Sequence, residues 1–331
     1  MTLTAFDRIP IVDIGPLLYG PREAHPVIAD QLREAATEIG FLHVTGCAPP
    51  VGVFDRMLAA TKKFFDLPEA VKLRSYIGLS TCHRGYVPES EEVLAGGTPD
   101  RKEAFDVSVD LPADDPDHLV GVPVLGPNTW PDVPGFREAV TAYYDHTITV
   151  ARAMFRGFAL ALGEESDFFE PYLTKPPSQL RLLHYPADPD TADRPGNSAH
   201  TDDECFTLLR STGPGLEVLD ARGVWVDAPP VPGAYAVTIG DLLQRWSNGE
   251  FIATTHRVRA FTTEHWAFPL FCTVDYHTQV EPLTRFVAPD RQQLPGVVAG
   301  EHLFARTAQT FRYLRRRSPA DPTAVASDAT R

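Results

Sequence analysis

Between residues 180 and 274 the chain reads as short apolar runs at 180–185, 206–210, 216–219, 224–227, 234–239, 256–261 and 266–274. Turn formers such as Gly213-Pro214-Gly215, Arg222-Gly223 and Pro232-Gly233 cut them apart. Strands this short, broken this often, bury their apolar sides by folding antiparallel sheets face to face, which predicts a jelly roll. Upstream, a strand at 9–14 leads to a helix at 26–39 ended by Gly40, a strand at 41–44, and a helix at 51–65. That helix stops at Leu67-Pro68, because proline lacks a donor and turns its predecessor away from helix. Residues 74–100 read as a loop, 136–162 as a long helix whose aromatic stripe is core packing, and 302–314 as a last helix. The expected class is mainly β with α: a double-stranded β-helix (jelly-roll, cupin-like) core with a helical N-terminal cap and a C-terminal helix. Its segments are a cap at 1–110, a connecting segment at 111–177, the core at 178–285 and a helical region at 286–315. A tail at 316–331, short of apolar residues, is expected to stay disordered, and the whole forms one structural unit.

His200-Thr201-Asp202 lies late in the first gap in this pattern, and 54 residues after Asp202 His256-Arg257-Val258 opens a strand. Residues two apart on an extended segment point the same way, so His200 and Asp202 can approach one ion while His256 arrives from a neighbouring strand. Two neutral imidazoles and one carboxylate occupy one face of an octahedral ferrous ion and leave three positions open. The histidines must be unprotonated to bind, so metal affinity should fall in acid. His43, His83 and His184 are candidates to approach the same cleft, although none is needed as a ligand.

The motifs around these residues sharpen the signal: Gly240-Asp241, Ser247-Asn248-Gly249, Ile9-Pro10-Ile11-Val12-Asp13, Arg84-Gly85-Tyr86, Lys102-Glu103-Ala104-Phe105-Asp106 and Tyr185-Pro186. Together they resemble the isopenicillin N synthase-like family of non-heme Fe(II)/2-oxoglutarate-dependent oxygenases through most of the chain. The resemblance implies an oxidoreductase, a dioxygenase of the kind found in secondary metabolism, with Fe(II), 2-oxoglutarate and O2 as cofactor and cosubstrates. It would hydroxylate, desaturate or cyclise a small metabolite, amino-acid-like or a biosynthetic intermediate. By analogy Tyr185 touches the cosubstrate, and Arg74, Tyr76, Arg84, Tyr86, Phe105, Cys205 and Phe206 line the substrate pocket.

One stretch departs from that family. Its members usually grip the far carboxylate of 2-oxoglutarate with an Arg-x-Ser pair about ten residues past the second histidine, where this chain has His265-Trp266-Ala267. An asparagine two residues before the tyrosine is here Leu183. A bidentate guanidinium contact, worth about 1.5–3 kcal/mol, therefore has no obvious source. Protonated His265, or Arg181, Arg257 or Arg259 reaching in, would restore it. The alternative is an iron-dependent oxidase of the same fold that takes its electrons from elsewhere.

Composition excludes some classes. A formal net charge of −14 and a pI near 5.2 provide no basic face for nucleic acid or an anionic membrane. Cys47, Cys82, Cys205 and Cys272 lie far apart, as free thiols of a reducing compartment would. The expected protein is cytoplasmic, a monomer or weak homo-oligomer, with a small molecule as its only partner. A zinc hydrolase using the same three ligands, or a non-catalytic binding jelly roll, are the remote alternatives.

Overall fold

The computed structural model describes residue 6 and residues 8–92, 102–187, 195–259, 262–290 and 292–317. The expected tail beyond 317, the tip of the 74–100 segment and the end of the 256–261 strand lie outside the described residues. Among the described residues, twelve strands build the two larger sheets: β1 (Ile11–Asp13), β2 (Phe41–Thr45), β3 (Gly85–Val87), β4 (Glu103–Val107), β5 (Gln179–Tyr185), β6 (Pro195–His200), β7 (Phe206–Ser211), β8 (Leu216–Leu219), β9 (Trp225–Asp227), β10 (Tyr235–Ile239), β11 (His256–Arg259) and β12 (His265–Cys272). The larger sheet runs β1-β2-β10-β7-β12-β5-β4-β3 and the smaller β6-β11-β8-β9. Every pairing in both sheets is antiparallel except β1 with β2. The N-terminal segment thus adds strands to both edges of the larger sheet.

Alternation along the central strands sorts two environments. Phe206, Leu208, Phe268, Leu270, Leu180 and Leu182 face the helices and join the main core. Their neighbours Thr207, Leu209, Ala267, Pro269, Arg181 and Leu183 face the space between the sheets. The helix Phe136–Ala161 lies across the outer face, with Phe155 and Phe158 packing on Phe206 at ring separations of 4.8 and 5.2 Å. Gly157 lets the helix His25–Glu38 approach closely, since a Cβ there would sit 2.6 Å from Leu32 Cδ1.

Two elements differ from expectation. Residues 74–92 hold two 3-10 turns and strand β3 rather than a plain loop. The last helix runs Ala299–Thr310, breaks at Phe311 and resumes as Arg312–Arg317. Phe311 turns inward there, packing edge-on against His83 at 4.5 Å.

Candidate active site

The three metal-ligand candidates converge between the two sheets. The register sets His256 opposite His200 across β11 and β6, and Asp202 follows two residues after His200. Their candidate ligand atoms all lie within 4.8 Å of one another, and Asp202 Oδ1 is 3.6 Å from Nε2 of each histidine. That distance is long for a hydrogen bond and suits two ligands of one ion with bonds of about 2.1 Å.

What surrounds the trio orients it. His200 Nδ1 meets the Ser198 carbonyl at 2.7 Å, and His256 Nδ1 the Thr254 carbonyl at 3.2 Å. A carbonyl only accepts, so each Nδ1 carries the hydrogen and each Nε2 keeps its lone pair for a metal. Asp202 Oδ2 accepts hydrogen bonds from the hydroxyls of Thr207 on β7 and Thr238 on β10, both at 2.6 Å, which leaves Oδ1 facing the histidines. Burial opposes the charge on Asp202, but His256, His200 and Thr207 outweigh it and hold the carboxyl well below its ordinary range. Burial likewise pulls His256 down, while at His200 the carboxylate overcomes burial and leaves the imidazole above its usual value. Gly240 closes the turn behind: the Asp241 amide donates to the Asp202 carbonyl, and a Cβ at 240 would sit 2.2 Å from the Glu204 carbonyl oxygen. Two imidazoles and a carboxylate on one side, with space on the other, is a donor set that fits ferrous iron.

Two cavities adjoin the trio. A chamber of about 390 Å³ opens on the side of the C-terminal helix, with His83, Glu92, Lys102, Asp203, Glu204, Arg306 and Phe311 in its wall. A smaller cavity of about 70 Å³ extends among Leu183, Tyr185, Leu209, Leu216, Val258 and Ala267.

Comparison with known proteins decides the family. Residues 9–133 match the model for the non-haem dioxygenase in morphine synthesis N-terminal region, and residues 176–274 match that of the 2OG-Fe(II) oxygenase superfamily. The chain belongs to the 2OG-Fe(II) oxygenase superfamily. It is 35% identical over 273 residues to the 2-oxoglutarate-Fe(II) type oxidoreductase hxnY of Emericella nidulans, covering 79% of this chain and 78% of that one. It is 32% identical to a homoarginine-6-hydroxylase of Glycine max, covering 93% and 98%. A 2OG-Fe(II) oxygenase family protein from Caulobacter crescentus superposes with a TM-score of 0.81 at 27% identity, over 92% and 99% of the two chains. This oxygenase is therefore an Fe(II)-dependent oxidoreductase that uses 2-oxoglutarate and O2 on a small metabolite, and the oxidase alternative is not favoured. No helix among the described residues is long and apolar enough to cross a membrane.

The cosubstrate candidates separate. Tyr185 faces the smaller cavity. His265 pairs with Tyr185 across β12 and β5, their rings 5.8 Å apart, but burial pushes its imidazole down to about 4. It is neutral at physiological pH, which corrects the expectation of a protonated anchor there. Arg257 points away from the cavity: its Nε binds Glu217 at 2.7 Å and its guanidinium lies 4.1 Å from the Trp225 ring centre. Arg259 is paired with Asp227 at 2.6 Å. Arg181 does face the cavity, gripped by Asp106 and Glu92.

The seven expected substrate contacts are not among the described residues that line either cavity. Arg74 is exposed, and Tyr76 packs on Tyr313 at 6.2 Å. Arg84 is fully buried, donating to the carbonyls of Cys82, His83 and Val124. Tyr86 faces the other side of its sheet and donates to Glu103 at 2.6 Å; Phe105 packs on Phe64 and Phe136. Cys205 and Phe206 lie in the main core. The four cysteines are buried and unpaired. Of the cleft histidines, His83 reaches the chamber, where burial pushes it down to about 3, whereas His184 stacks on Trp266 on the outer face. Glu92 and Arg306 are chamber residues that sequence reasoning does not single out, and it names Lys102 only within the 102–106 motif and not as a site residue. Period-two alternation from Phe105 would have put Lys102 on the opposite face from that core ring.

Proposed function

We propose that His200, Asp202 and His256 hold the ferrous ion, and that the chamber beside them takes a small polar metabolite for hydroxylation, desaturation or cyclisation. The observation that carries this is the orientation of the three donors by Ser198, Thr254, Thr207 and Thr238, which has no purpose in a merely structural cluster. When bound, iron and 2-oxoglutarate together activate dioxygen for removal of a substrate hydrogen.

The chain's own residues do the rest. Thr207 and Thr238 hold the Asp202 carboxylate with one oxygen toward the ion. Phe311 and His83 pack edge-on in the chamber wall and give it apolar surface beside the site. The wall charges are already paired, Arg306 with Asp203 at 2.8 Å and Arg181 with Glu92, while burial raises Glu204 well above the carboxylate range. A substrate with both donors and acceptors, such as an amino-acid-like molecule, would match such a wall, and a homoarginine-6-hydroxylase stands among the relatives. The match of residues 9–133 to the model for the non-haem dioxygenase in morphine synthesis supports a secondary-metabolic role. Buried free thiols support a reducing compartment, which we read as the cytoplasm.

The test is anaerobic addition of 2-oxoglutarate to the ferrous protein, followed by its visible metal-to-ligand charge-transfer band. Wild type develops the band, and Asp202→Ala, having lost the charged ligand, does not. A band of equal strength in Asp202→Ala sinks the ligand assignment.

A further inference from the structure

Arg84, Arg152 and Arg181 each spend their guanidinium on carbonyls or carboxylates. Arg210, on β7, does not. Its Nη1 is buried without a hydrogen-bond partner, and no hydrogen bond or ion pair joins its side chain to another of the described residues. What holds it comes from the helix Val53–Phe65, where the Phe54 ring centre lies 4.0 Å from the guanidinium carbon. Stacking of that kind covers a face of the group and leaves its in-plane N–H donors without an acceptor.

The titratable groups near this charge do not balance it. Arg210 acts on Cys47, Tyr143, His146 and Tyr235. Burial pushes the Cys47 thiol up to about 12, raises both phenols and lowers the imidazole, so all four are neutral at physiological pH. Asp13, a carboxylate that also acts on Cys47, is exposed, and its Oδ1 accepts from the Gly15 amide at 2.9 Å. A guanidinium stays protonated in proteins, so a positive charge stands here with no anion paired to it among the described residues.

A cavity of about 210 Å³ opens beside it, where β7 ends and the segment 228–234 leads from β9 into β10. Arg210 brings the one charge among the described residues of its wall. Leu209, Leu216, Ala228, Val231, Pro232 and Ala236 make most of the rest apolar, and the Ser211 hydroxyl already donates to the Gly213 carbonyl at 3.1 Å. We propose that this cavity is a second ligand site, one that takes a small monocarboxylate with an apolar body and receives its carboxylate on Arg210. One cation matches one negative charge, and the planar guanidinium and carboxylate can share two parallel hydrogen bonds. Phosphate carries more charge than one guanidinium balances and would shed its hydration against apolar walls. The site lies apart from the metal trio. Arg210 pairs with Phe268 on the face that meets the helices, and only Leu209, Leu216 and Ala236 line both this cavity and the smaller one beside the trio.

Calorimetry on the ferrous protein under nitrogen tests the site with pentanoate, pentan-1-ol and inorganic phosphate. Wild type should bind pentanoate saturably and about tenfold or more tighter than pentan-1-ol, which has the same body without the charge. The pentanoate Kd should stay within about twofold once a chelator has removed the iron, because the carboxylate does not sit on the metal. Arg210→Met should raise that Kd about tenfold or more and so erase the preference, whereas Arg210→Lys, which keeps the charge, should retain part of it. Absence of saturable pentanoate binding, a Kd unchanged in Arg210→Met, or binding that disappears with the iron overturns the proposal. Phosphate bound as tightly as pentanoate overturns the choice of a monocarboxylate. If Arg210→Met does not fold, the other measurements decide: wild type that binds pentanoate and pentan-1-ol alike, or a folded Arg210→Lys with no preference left, refutes it.

Discussion

Replacing Thr207 and Thr238 by valine, singly and together, probes whether the hydroxyls that hold Asp202 govern metal affinity. Each hydroxyl is buried and donates at 2.6 Å to the same carboxylate oxygen. Valine keeps the shape of threonine and removes only the donor. A hydrogen bond to a charged, desolvated acceptor is worth about 1.5–3 kcal/mol. That full value does not appear in metal affinity, because the metal-free protein loses the same bond. The metal-free Asp202 loses support as well, so part of the cost emerges as a lower melting temperature without metal. The remainder is the loss of aim: with one hydroxyl left the carboxylate still presents Oδ1, and with neither it can swing away. We expect about a tenfold loss of ferrous affinity in either single variant and about 100-fold in the double, in the range found when supporting residues of metal ligands are removed. Anaerobic competition against a chelator of known affinity measures it, with thermal melts of the metal-free proteins alongside. A folded double variant that binds iron as tightly as wild type would refute the argument that these hydroxyls prepare the site.

Two further perturbations follow from corrections to the sequence reading. Arg84→Met should cost about 2–4 kcal/mol of stability in urea unfolding, because three buried carbonyls lose their donor, and should leave substrate KM within about twofold; a large KM change with intact stability would return Arg84 to the substrate pocket. His265→Gln should flatten the acid limb of stability: the imidazole sits at about 4 in the fold against an ordinary 6.5, so its contribution is present above pH 6.5 and lost as pH falls toward 4. Unfolding curves of wild type and variant that run parallel over that window would contradict a neutral, buried His265.

Much of this protein could be read before any coordinates existed, for a local reason. The metal trio depends on a two-residue spacing in His200-Thr201-Asp202 and on a strand that opens with His256, and the jelly roll depends on turn residues that interrupt apolar runs. Both signals act over a few residues, where steric and hydrogen-bonding rules are strict. The break at Phe311 is less legible, since Phe311 turns in to pack on His83, more than 200 residues earlier in the chain.

Which way each side chain points was decided only by the tertiary structure. Tyr86, Phe105 and Phe206 belong to strands with apolar residues on both faces, and alternation alone says that neighbours differ without saying which neighbour meets the helices. The helix Phe136–Ala161 settles it by covering one face, which sends those three rings into the core and leaves Lys102, Arg181 and Tyr185 to the other. Charge state was decided the same way: His265 is neutral because the folded sheets remove it from water, and Arg181 is occupied because Glu92 and Asp106 come to it from other strands and loops. Desolvation and pairing depend on neighbours distant in the chain, so no run of residues around His265 or Arg181 encodes them.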